Sequence, residues 1–77
     1  MKYVAISMIN GNLSKTLICD SFSKVIDAAL TIIGCWPKSA QPADMLIAKS
    51  CLTDCEVLHC VNIYDRTSYS VHIGAVG

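Results

Sequence analysis

Apolar and polar side chains alternate from the start of the chain. Between Lys2 and Ile9, Val4, Ile6 and Met8 fall on one side and Tyr3, Ala5, Ser7 and Ile9 on the other. That two-residue period predicts a β-strand with one apolar and one mixed face. Asn10-Gly11 follows, a pair suited to a type I′ turn, whose two central residues both need positive φ. Leu13 to Cys19 is then the returning strand of a hairpin. Asp20-Ser21 supplies side-chain oxygens for a helix N-cap, with Ser23 a later alternative. From Phe22 the period changes: Phe22, Val25, Ile26, Ala29, Ile32 and Ile33 recur at three- and four-residue intervals. This predicts a helix of about 12 residues with one apolar face. Gly34 stands where a left-handed C-cap residue would end it, and Pro37 discourages continuation.

Cys35 to Pro42 reads as a connector holding both prolines and the single tryptophan. Pro42 suits the first turn of a second, short helix reaching about Leu52, with Asp44 near its positive end. An extended segment through Met45, Leu46, Ile47 and Ala48 is the alternative. Alternation returns from Glu56 to Tyr64, with Val57, His59, Val61 and Ile63 opposite Leu58, Cys60, Asn62 and Tyr64. Asp65-Arg66-Thr67 is the expected turn. Ser68 to Ile73 alternates again, with Tyr69, Val71 and Ile73 on one face, and Gly74 to Gly77 is a short tail. The order β-β-α-(α)-β-β predicts a single α+β domain over residues 1–77: a four-stranded antiparallel sheet with one main helix across one face. The other sheet face has no second layer within the chain.

Composition narrows the function classes. The 77 residues suffice for one domain. Six basic and six acidic side chains cancel, charged residues are 16% of the chain, and apolar residues are 53%. An average soluble domain is about 25% charged. A disordered tail, a basic nucleic-acid arm and an acidic solvating segment are all excluded by this balance. So few charges leave apolar surface outside the core, and near-zero net charge then favours association with a copy of the chain or with a partner. The early apolar stretch runs straight into the Asn10-Gly11-Asn12 turn, which argues against a signal peptide. The longest charge-free stretches, Ala28 to Pro37 and Thr67 to Gly77, fall far short of the roughly 20 residues a membrane helix needs. A cytoplasmic protein with no membrane association is the expectation. Five cysteines, an odd number, fit free thiols in a reducing compartment.

Four kinds of chemistry were weighed. Cys51, Cys55, His59 and Cys60, with His72 on the adjacent strand, are zinc-type ligands, but no Cys-x2-Cys knuckle occurs. In a strand, His59 and Cys60 also point to opposite faces. Cys19, just ahead of the helix, is the candidate nucleophile, and His59 or His72 would have to serve as base. Lys2, Lys15, Lys24, Lys38, Lys49 and Arg66 are scattered, which argues against a nucleic-acid surface. No phosphate-loop or dinucleotide glycine pattern occurs. The fourth kind is a protein-binding surface, for which Trp36, Tyr64, Arg66 and Tyr69 are the candidates, because Trp, Tyr and Arg dominate interface energetics. The expected function is therefore non-enzymatic: stoichiometric binding to a larger protein or complex as a regulator or inhibitor, without catalytic residues, cofactor or metal. Size and economy suit an inhibitor of the phage or mobile-element kind. Self-association into a homodimer is compatible with this. The rival reading is a metal- or thiol-dependent protein using Cys51, Cys55, Cys60 and His59 or His72.

Overall fold

The computed structural model describes residues 1–54 and 57–76. Asn10 and Gly11 adopt φ of 52° and 79°, the positive-φ pair expected of the turn. They join strand β1 (Lys2–Ile9) to strand β2 (Asn12–Cys19). Helix α1 (Phe22–Gly34) follows, begun by Ser21, whose Oγ accepts from the Lys24 N–H at 3.2 Å. A single 3-10 turn (Lys38–Ala40) leads to helix α2 (Met45–Thr53). Asp44 caps α2, its carboxylate accepting from the Leu46 N–H at 2.9 Å. The helical alternative for this segment is therefore the one adopted, with Pro42 lying ahead of the cap and not in the first turn. Strand β3 (Leu58–Val61) and strand β4 (Ser68–Val76) complete the chain.

The four strands form one antiparallel sheet in the order β2-β1-β4-β3. The first and last strands are therefore neighbours in the middle of the sheet, paired from Lys2↔Val76 to Ile9↔Tyr69. Residues 74–76, expected as a tail, belong to β4 and pair with the start of β1. Asn10 adds a clasp: its N–H donates to the Ser68 carbonyl at 2.8 Å, and its side-chain oxygen accepts from the Ser68 N–H at 2.9 Å.

Helix α1 lies chiefly over β1 and contacts β2 and β4 as well. It buries Val25, Ile26, Ala29, Ile32 and Ile33, the face its period predicts. The sheet face it covers is the mixed face of β1, where Ala5 and Ser7 are almost fully buried. Small side chains in the middle of the sheet let the helix come close, and the bulk of the core is supplied from the helix and from Leu58, Tyr69 and Val71. The more apolar face, with Val4, Ile6 and Met8, is left on the open side. Helix α2 packs on α1 and β3 and buries Ala48 and Leu52.

Two ends differ from expectation. Gly34 is the last helical residue and not a left-handed cap. The Cys35 N–H instead reaches the Ile32 carbonyl at 3.0 Å, tightening the final turn. Strand β3 is shorter than its alternation implies, because Asn62 turns the chain.

Candidate functional site

The four interface candidates separate into two pairs. Trp36 and Tyr69 are 6% and 8% exposed, with ring centroids 5.2 Å apart, and belong to the core. The loop around Trp36 is drawn inward by Gln41, whose amide nitrogen donates to the Trp36 carbonyl at 2.7 Å and to the Gly34 carbonyl at 3.3 Å. Those bonds satisfy backbone groups at the end of α1 and fold the connector over the sheet. The indole and Tyr69 thus fill the bottom of the core and keep only a small exposed area.

Tyr64 and Arg66 lie together on the β3–β4 connection, both exposed. Ile63 joins them, and both Ile63 and Tyr64 lie beyond the end of β3 although their alternation predicts a strand: Ile63 is 73% and Tyr64 82% exposed. Asn62 organises this tip and is itself buried. Its N–H donates to the Thr67 carbonyl at 2.8 Å, and its carbonyl accepts from the Arg66 N–H at 3.0 Å. Its side-chain oxygen accepts from the Tyr64 N–H at 2.8 Å and the Asp65 N–H at 3.4 Å. Asp65 adds a bond from the Thr67 N–H at 2.9 Å, which holds its carboxyl below the usual carboxylate range. Three bonds to the Asn62 and Asp65 side chains and two backbone bonds fix the six residues of the loop, 62–67. The Asn-x-x-Asp spacing carries the signal for this tip; the alternating pattern obscured it.

The metal and thiol candidates are dispersed. Cys60 packs against the core, and burial pushes its thiol pKa up, which disfavours the nucleophilic thiolate. His59 is on the opposite face of β3, its Nε2 sharing a hydrogen bond of 2.6 Å with the Ser68 hydroxyl. Cys51 is half-buried on α2, and Cys19 is packed at the end of β2. Cys55 lies outside the described residues. Among the described residues no three His, Cys, Asp or Glu side chains converge as a metal set would, and no helix is long and apolar enough to cross a membrane.

One hollow is a cleft of about 240 Å³ between the end of α1 and the β1–β2 hairpin, with Ser7, Ile9, Trp36 and Tyr69 in its lining and Lys15 and Cys35 beside them. Small-molecule sites run from about 300 to 1,000 Å³, so this one is small for a substrate. A more open hollow of about 390 Å³ is lined by Lys2, Ile18, Cys19, Asp20 and Lys24. Apolar side chains are also exposed: Leu46 and Ile47 project from α2, and Leu13 and Ile18 from β2, each more than 60% exposed.

Comparison with known protein families, curated proteins and solved structures finds no match.

Proposed function

We propose that this chain is a non-enzymatic interaction module that binds a larger protein stoichiometrically, as a regulator or inhibitor, through the tip formed by Ile63, Tyr64 and Arg66. The observation that carries the proposal is the pairing of exposure with rigidity at that tip. Two large apolar side chains stand almost fully in water, on a loop whose backbone is fixed by Asn62 and Asp65. Holding apolar side chains in water contributes nothing to folding. Holding them in one geometry lowers the entropy lost when they enter a partner's pocket. A tyrosine flanked by an aliphatic side chain and an arginine is also the composition found at energetic centres of interfaces.

The test uses Tyr64→Ala. Tyr64 is exposed, so the fold should keep its stability within about 0.5 kcal/mol. The tagged wild-type chain captures a stoichiometric partner from lysate of its native cell. Against that purified partner, Tyr64→Ala should weaken binding by about 2 kcal/mol, roughly thirtyfold. Equal affinities for the two chains would move the binding surface away from the tip. Replacing the cysteines by serine or alanine, where folding survives, should leave binding intact; loss of activity with the fold preserved would favour the thiol or metal reading.

A further inference from the structure

The sheet face turned away from the helices has no second layer within the chain. Register pairs place Val4 beside Ile18, Ile6 beside Thr16, and Met8 beside Leu13 on this side. The last pair depends on the bulge between Ser7 and Met8, which skips Ser14 and brings Leu13 opposite Met8. On β4 the same face carries Ser68, Ser70, His72 and Gly74, and Val4 leans over the bare Gly74, its Cγ1 3.6 Å from where a Cβ would stand. The face thus divides into an apolar half on β1 and β2 and a more polar half on β4 and β3, where Val76 and Val61 are the apolar exceptions. Among the described strand residues of this face Lys2, at one corner, is the one lysine, arginine or carboxylate, and Asp20 stands beside that corner just past the end of β2.

We propose that a second copy of this chain covers this face, giving a two-fold β-sandwich through β1 and β2 in which both β3–β4 tips remain free.

Two quantities favour a copy as the occupant. The first is area. Strands about 4.8 Å apart with a rise of about 3.3 Å per residue make a face on the order of 500 Å², so two faces together cover roughly 1,000 Å². That total reaches the roughly 1,000 Å² a specific interface needs, and a single face is about a tenth of each chain's 4757 Å² surface, the usual share for a small protein. The second is charge. A face with one lysine at a corner offers a charged partner nothing to pair with, whereas a copy placed by two-fold symmetry sets no charges against each other at the centre.

Symmetry then selects the arrangement. A two-fold axis running along the strands lays β2 on the partner's β3, apolar on polar. An axis running across the strands lays β1 and β2 on their own copies and the serine and histidine positions on their own copies. The second arrangement buries Leu13 and Ile18, which are 68% and 63% exposed in one chain. It also brings Ile6, midway along β1, next to Ile6 of the second copy. The sheets then pack about 10 Å apart, as in any aligned sandwich.

The experiment is sedimentation equilibrium over concentrations up to the order of 100 µM. The wild-type chain should have the mass of two chains. Ile18→Glu is the first variant, since its side chain is exposed and its fold can be verified by circular dichroism; its dimer should be at least roughly tenfold weaker. Ile6→Glu and Ile6→Lys should each be single chains, and mixing them should restore a two-chain mass. A wild-type chain that stays single throughout the range overturns the proposal. So does a folded Ile18→Glu that dimerises as tightly as wild type, because association would then use a different surface. The readout is independent of the tip's partner, so loss of one proposal leaves the other standing.

Discussion

Arg66 holds φ at 64°, and it shares positive φ with Asn10 and Gly11 among the described residues. Asparagine tolerates that region through its short polar side chain, while a long side chain there costs on the order of 1 kcal/mol or more. Asn62 imposes the conformation by accepting from the Arg66 N–H. Glycine would relieve the strain and lose part of the gain to a freer unfolded chain. Arg66→Gly is therefore expected to stabilise the fold by about 0.5–1 kcal/mol in urea melts while weakening partner binding. Destabilisation would mean that the arginine side chain supports the fold by a contact of its own. Asp65 has a related pH consequence. Its folded pKa is lowered by the bond from the Thr67 N–H, so its contribution is present above the unfolded carboxylate pKa and lost as pH falls through the folded value. The tip should loosen on acidification in that range, and Asp65→Asn should remove that dependence, read from amide exchange at Thr67.

Elements show where local chemistry decides and where it does not. The Asn10-Gly11 hairpin, the Ser21 cap and the apolar face of α1 are all written in neighbouring residues, and the structure follows them. Gly34 is the exception at the helix end. It stays helical, and an added Cβ there would meet nothing within 4 Å. Gly34→Ala should then raise stability by about 0.5–1 kcal/mol, read by thermal or urea unfolding; a loss would indicate a left-handed glycine in solution. The face that β1 turns to the helix was not legible, because β1 has an apolar side and a mixed side and either could be covered. The choice rests on the sheet register with β4, far along the chain, which aligns Ala5 and Ser7 with Ile73 and Val71. Trp36 looked available because it sits between a cysteine and a proline in a connector. Its burial depends on Gln41 and Tyr69, distant partners that no local pattern announces. The candidate site was legible in part: Arg66 lies in the turn that was expected, while Ile63 and Tyr64 were hidden inside an apparent strand that ends at Val61.

At the scale of the whole molecule, the chain is thin, with extents of 39 × 25 × 18 Å. That thickness is one helical layer on one sheet, and a two-fold sandwich would bury the sheet between two helical layers. The central position of β1 and β4 also sets what the fold tolerates. An edge strand can fray at modest cost, but removing residues 68–76 would leave β1 without a partner along one side and take Tyr69, Val71 and Ile73 out of the core. Such a truncated chain is expected to lose cooperative unfolding altogether, checked by circular dichroism during a urea titration; a retained sigmoidal transition would show that the β1–β2 hairpin and α1 fold on their own.

The same adjacency of first and last strands bears on synthesis. A ribosome makes β1 first and β4 roughly sixty residues later, at about 5–20 residues per second. For several seconds the hydrogen-bonding edge of β1 that β4 will occupy is open, and no earlier strand can close it. The sheet therefore completes in one late step, after β4 has cleared the exit tunnel, and until then one edge of β1 stays open to another emerging copy of the chain.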